Sequence, residues 1–123
     1  MKRKWDRMTT TEVLHLLRTK VYSVNPDNGE VTGPTGKIRK PFRDKAGYLW
    51  MRLYAVIGGR KKMTNRSVAV LVWMAKTDRC VPKGFEVHHD DRVVDNNAWN
   101  NLYCLHRKDH HKYHNKYDEP VPF

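Results

Sequence analysis

At 123 residues the chain has the length of about one domain, and 39% apolar residues fill only a modest core, which excludes a large multidomain enzyme. No run of 18 apolar residues occurs and no apolar stretch with a small-residue cleavage site follows Met1 to Asp6, so a soluble, cytoplasmic protein with no membrane partner is expected. The excess of 24 Lys and Arg over 13 Asp and Glu, net +11, points towards a polyanion.

Thr9-Thr-Thr-Glu12 has the spacing of a capping box, and Val13, Leu14, Leu17 and Val21 then share one face of a short helix, with His15 off the stripe as a solvated residue. Asn25-Pro-Asp-Asn-Gly29 is a turn cluster between two short extended segments, 21–24 and 30–33, and Gly33-Pro34 interrupts the chain again, as in a β-meander. Beyond the basic run from Lys37 to Arg43, Tyr48 to Val56 is rich in aromatic and branched residues. It ends at Gly58-Gly59, a two-residue hairpin signal, so the returning strand carries Arg60, Lys61 and Lys62. Asn65 then caps a helix over Arg66 to Lys76 with a core stripe of Val68, Leu71, Val72 and Ala75, which Trp73 and Met74 widen. Pro82 and Gly84 precede a short strand, Phe85 to Val87, that delivers His88 and His89. A polar loop from Asp90 to Asn100, a second short strand from Leu102 to Leu105 and a helix from Arg107 to Lys116 follow, and residues 118–123 form a frayed tail.

Charge and histidine divide the chain. Residues 1–66 hold 16 basic and 5 acidic side chains, whereas residues 67–123 hold 8 of each. Six of the seven histidines, His88, His89, His106, His110, His111 and His114, fall in the neutral half. One half is suited to hold a polyanion, and the other concentrates the side chain that binds metals and moves protons near neutral pH. Cys80 and Cys104 have no paired spacing and read as two separate buried thiols.

On a helix, residues four apart lie on one face, so His110 and His114 can both point at one ion. Successive strand residues face opposite sides, so of His88 and His89 one can face a metal and the other a water. Glu86-Val-His-His-Asp90, Asn96-Asn97, Asn100-Asn101-Leu102 and His110-x-x-x-His114 resemble the HNH endonuclease family, in particular its small phage-type, homing-endonuclease-like members, over residues 65–116. The resemblance implies an α+β protein. A basic DNA-binding part with a helix and a short β-meander, residues 1–64, would precede a ββα-metal (His-Me finger) nuclease core, residues 65–116, and a tail, residues 117–123.

The activity so implied is metal-dependent hydrolysis of phosphodiester bonds in double-stranded DNA, by nicking or double-strand cleavage, with one divalent ion (Mg, Mn, Ni, Co or Zn). Carried over residue by residue, the resemblance makes His89 the general base, Asn101 the residue that orients it, and His88 and His110 metal ligands. His114 matches a further histidine found in part of the family. Asn97 competes with Asn101 for the motif asparagine, and His111 with His110 as ligand. His106 reads as a helix-entry residue, and Asp90 and Asp91 as solvated loop carboxylates that could instead hold a water or a histidine ring. An all-imidazole set suits Zn, Ni, Co or Mn better than Mg.

The basic clusters, Lys2-Arg-Lys4, the run from Lys37 to Lys45 with Lys37, Arg39, Lys40 and Arg43, and Arg60, Lys61 and Lys62, read as phosphate contacts of a monomer or weak dimer. Tyr48, Trp50 and Tyr54 alternate between them and either line one face of that surface or pack in the core, the plainer reading. Two rivals remain: a catalytically inactive DNA-binding accessory or regulatory protein, and a structural zinc domain on Cys104, His106, His110 and His114. A chain that neutralises several phosphates loses duplex affinity steeply with salt, log K falling with log salt at a slope of about 0.9 per phosphate. A salt titration of duplex binding is expected to show that slope, and a flat response would remove the amino-terminal clusters from the interface.

Overall fold

In a computed structural model that describes residues 5–109, the elements run β1 (Asp6–Arg7), α1 (Thr10–Arg18), β2 (Ser23–Val24), β3 (Val31–Thr32), β4 (Ile38–Arg39), β5 (Phe42–Arg43) and β6 (Leu49–Ile57). After them come β7 (Arg60–Ser67), α2 (Val68–Thr77), β8 (Phe85–His89), a 3-10 turn over Trp99–Asn101 and β9 (Leu102–His106). Residues 107–109 are helical, and the rest of the expected last helix, with His110, His111 and His114, lies outside the described residues. No helix among the described residues is long and apolar enough to cross a membrane.

The capping box forms: the Thr9 amide donates to Glu12 Oε1 at 2.9 Å and the Glu12 amide to Thr9 Oγ1 at 3.1 Å. Helix α1 buries Val13, Leu14, Leu16 and Leu17 and stops at Arg18, so Val21 lies beyond it, while His15 is exposed as expected. Gly58 and Gly59 both adopt positive φ, 58° and 76°, and join β6 to β7 with Ile57 opposite Arg60. The ladder then continues through Asn65, opposite Arg52, as far as Ser67, opposite Trp50. Asn65 is therefore a strand residue whose Oδ1 accepts from Arg52 Nε at 3.0 Å, and the cap of α2 is Ser67, whose Oγ accepts from the Val70 amide. The expected boundary between residues 64 and 65 falls inside β7, which runs directly into α2.

Three sheets surround α2. The largest has the order β1-β7-β6-β5, with β1 parallel to β7; β2, β3 and β4 form the expected meander, and β8 pairs with β9. The basic run expected between elements supplies one edge strand to each of two sheets, β4 and β5, and cationic side chains suit such unpaired edges. Val68, Ala69, Leu71, Val72, Trp73 and Met74 of α2 are buried, whereas Ala75 is exposed and leaves the expected stripe.

Alternation along β6 puts Met51 and Leu53 in the core and turns Trp50, Arg52, Tyr54 and Val56 outward. Core packing of Trp50 and Tyr54 is thus overturned: Met51 and Leu53 take the inner face, and a period of two allows no sharing. Where β5 ends, the Tyr22 hydroxyl replaces the missing neighbour strand. It donates to Tyr54 O at 3.0 Å and accepts from Tyr54 N at 2.9 Å and from Arg39 Nη1 at 3.1 Å. Tyr22 is 1% exposed. Tyr22→Phe leaves these backbone groups unmatched, and denaturant unfolding is expected to show a loss of about 1–3 kcal/mol. An unchanged midpoint would show that water satisfies this edge equally well.

Candidate active site

The β8–β9 hairpin sets the two adjacent histidines on opposite faces. Val87 and His89 pair with Cys104 and Leu102 on the face that packs against the core, whereas His88 pairs with Tyr103 on the other, their rings stacked with centroids 5.4 Å apart. Both histidines are buried, His89 at 4% exposure. His89 also meets Tyr48 from the start of β6, the ring centroids 5.8 Å apart.

Of the two candidate asparagines, His89 meets Asn97. Its Nε2 lies 2.8 Å from Oδ1 of Asn97, itself buried, so Nε2–H donates and Nδ1 keeps its lone pair. Asn101 does other work at the neck of the loop. Its Oδ1 accepts from the Asp91 amide at 3.0 Å, and its Nδ2 donates to Asp91 Oδ1 and to Asn96 O, each at 2.9 Å. The loop curls between β8 and β9 so that position 97 faces inward under His89, while position 101, at the entry to β9, faces the chain leaving β8.

Asp91 is the anion that collects this loop. Besides Asn101 it accepts from the Val93 amide at 2.8 Å and from Asn96 Nδ2 at 2.7 Å. Burial alone would raise its pKa, but the hydrogen bonds from Asn96, Val93 and Asn101, and the nearby His89, outweigh that and hold the carboxyl below its ordinary value. Asp91 is thus a bonded loop carboxylate, not a merely solvated one, and its place at the start of an Asx turn was the available signal. Its ionised form stabilises the loop; that contribution is complete above the ordinary carboxylate range and is lost as pH falls through the lowered value.

A cleft of about 40 Å3, room for a water, is lined by Tyr48, Val87, His88, His89, Arg92 and Val94. It shares Tyr48, His88 and His89 with a cavity of about 510 Å3 that Asp44, Trp50 and Glu86 also line. Among the described residues no three His, Cys, Asp or Glu side chains converge as a metal site. His88 is the one expected ligand within them, and its imidazole is a fitting donor for a borderline ion. Cys80 and Cys104 are both free and half-buried. Burial pushes the Cys104 thiol up from its ordinary value, which disfavours the thiolate that a zinc ligand must be.

Of the expected phosphate contacts, Lys37, Lys40 and Lys61 are exposed. Arg43 and Arg60 are exposed and paired with Asp95 at 3.1 Å and Asp6 at 2.9 Å, solvated pairs worth about 0–1 kcal/mol that a phosphate can replace. Arg39 is half-buried, with its guanidinium 5.7 and 5.9 Å from the ring centroids of Tyr22 and Tyr54. Lys62 stands apart, bonded to Glu12 Oε2 at 2.6 Å with both side chains only 20% exposed, so its charge is compensated internally.

Residues 66–112 match a family model described as HNH endonuclease, so this segment of the chain is similar to the HNH endonucleases. No curated protein matches the chain. Among solved structures it is similar to the HNH homing endonuclease I-HmuI, in a structure concerned with DNA binding and cleavage by that enzyme. The identity is 28%, the TM-score 0.57, and the match covers 77% of this chain and 52% of that one, so the chain spans about half the length of that protein.

Asp91→Ala is expected to speed amide exchange at Val93 roughly tenfold at neutral pH while Leu53, in the main sheet, keeps its protection. Equal protection at Val93 in both proteins would mean that Asp91 does not hold the loop.

Proposed function

We propose that the chain is a metal-dependent endonuclease that hydrolyses phosphodiester bonds of double-stranded DNA, with His89 as general base. The observation that carries this reading is the buried His89–Asn97 pair beside the small cleft, inside the segment that matches the HNH endonucleases. With Nε2–H committed to Asn97, Nδ1 is the atom left to take a proton from water, the part an imidazole plays in general-base catalysis. The water oxygen attacks phosphorus as its proton passes to Nδ1, the bond to the 3′ oxygen breaks, and that oxygen leaves with a proton from solvent. Tyr48 and Tyr103 pack against the two imidazoles and limit their rotation.

His88 would hold the divalent ion together with His110 and His114, which lie outside the described residues. Bound there, the ion supplies stabilisation of charge on the phosphoryl oxygens and on the departing 3′ oxygen. Support for the DNA surface comes from the outer face of the main sheet. There Lys61 lies 5.6 Å from the Trp5 ring centroid, Arg52 6.0 Å from that of Phe42, and Arg39 beside Tyr54. Cations resting on aromatic rings lose less freedom when they meet a phosphate. The exposed Lys37, Lys40, Arg43, Arg60 and Lys61 would supply the phosphate contacts, and Lys62 contributes through Glu12 to holding α1 on β7.

The test is conversion of supercoiled plasmid by the purified chain with Mg, Mn, Co, Ni or Zn. Nicked or linear product is expected, with loss in EDTA and loss of at least about a hundredfold in His89→Ala, whose DNA affinity stays within about twofold of the original. Undiminished cleavage by His89→Ala would remove the general-base assignment. No product with any ion, with salt-sensitive DNA binding intact, would make the chain a catalytically inactive DNA-binding relative.

A further inference from the structure

We infer that the turn Asn25–Gly29, in the amino-terminal meander, is a positioning element for the hydrolytic site, and that Gly29 is its decisive residue because it sets where Asn97 can stand beneath His89. The inference rests on the reading of His89 as general base.

The turn is internally rigid. The Gly29 amide donates to Asn25 O at 2.7 Å and the Asn25 amide to Glu30 O at 2.8 Å. Asn25 Oδ1 accepts from the Asp27 amide and Asn28 Oδ1 from the Glu30 amide, both at 2.9 Å. The loop that carries Asn97 docks on it through a single backbone bond, from the Trp99 amide to Pro26 O at 2.7 Å. At Gly29 the approach is closer than any side chain permits. A β-carbon there would stand 2.9 Å from Asn97 Cβ and 3.0 Å from Val68 Cγ1. Val68 is 2% exposed in the first turn of α2, whereas Asn97 belongs to a loop, so Asn97 is the neighbour that must move. Among the described residues, the side-chain partner that Asn97 would lose is Nε2 of His89 at 2.8 Å. Gly29 therefore acts through Asn97 on His89, sixty residues away in sequence.

Gly29 has φ +78°, so any substitution also strains the backbone. Gly36 separates the two effects: it lies in the same meander with φ +82° and has nothing within 4 Å of the site of a β-carbon. Gly36→Ala carries the strain without the collision.

The experiment compares the full chain with Gly29→Ala, Gly36→Ala, Asn97→Ala and Asn25→Ala by two readouts. The first is the ring 15N spectrum of His89 at alkaline pH without added ion, assigned by its disappearance in His89→Ala. The second is plasmid cleavage resolved into kcat and KM. In the unmodified chain and in Gly36→Ala, His89 is expected as the Nε2–H tautomer alone. Gly29→Ala and Asn97→Ala are expected to show both tautomers and kcat lowered roughly ten- to a hundredfold at unchanged KM. Asn25→Ala, which loosens the turn without a collision, is expected to lower kcat several-fold and decides the matter if Gly29→Ala does not fold.

A pure Nε2–H signature and full kcat in Gly29→Ala, or in Asn25→Ala where Gly29→Ala is unfolded, would overturn the inference. So would equal losses in Gly29→Ala and Gly36→Ala, which would reduce the effect to backbone strain. Tautomer mixing in Gly29→Ala, absent from Gly36→Ala, in a chain that cleaves nothing would uphold the positioning role and overturn the nuclease reading alone.

Discussion

Helix α2 must be covered on nearly every side. Six of its ten residues are buried, and β2, β6, β7, β8, β9 and α1 all lie against it. Such a helix is stable only inside a shell, because each large apolar side chain left in water forgoes about 1.5–3 kcal/mol. The strands that make the shell are mostly short, and several, of two residues, gain little from their own ladders. Their attachment to α2 supplies what their hydrogen bonds do not. The hairpin that carries His88 and His89 is one wall of this shell, so the site inherits its rigidity from the core behind it.

In front of that wall the loop from Asp90 to Asn100 is anchored by Trp99, which packs against the core, and by a set of polar contacts. Asp91 and Asn101 close its neck, Asn97 reaches inward to His89, and the Trp99 amide reaches across to Pro26. A buried asparagine with a buried imidazole as its partner is a high-stakes contact, since either group alone would be left desolvated and unmatched. The same contact that stabilises the loop thus selects which imidazole nitrogen is free.

The basic half serves the same arrangement differently. The run from Lys37 to Arg43 is split between two sheets, and Arg39, Arg52 and Lys61 rest on the rings of Tyr54 in β6, Phe42 in β5 and Trp5 just before β1. Positive charge is therefore fixed in place on one surface instead of being spread over flexible side chains. Lys62, one residue from Lys61, points to the other side of the strand and is consumed by Glu12, whose carboxyl the Lys62 hydrogen bond and the Thr9 amide hold below its ordinary value.

What the sequence by itself determined is the set of features that depend on neighbours a few residues away. The Thr9–Glu12 capping box, the Gly58-Gly59 hairpin, the apolar stripe of α2, and the strand–loop–strand unit around His88 and His89 were all legible because each rests on a period or a turn whose parts are adjacent in the chain. The tertiary structure alone decided that Asn97 and not Asn101 meets His89, that Ser67 and not Asn65 caps α2, and that Trp50 and Tyr54 face outward. Each choice is between residues of the same type or pattern a few positions apart. Composition and period cannot rank such candidates, because the winner is set by how segments tens of residues distant close against it. Gly29 shows this most plainly: as sequence it is the end of a turn, and only folding places it under Asn97.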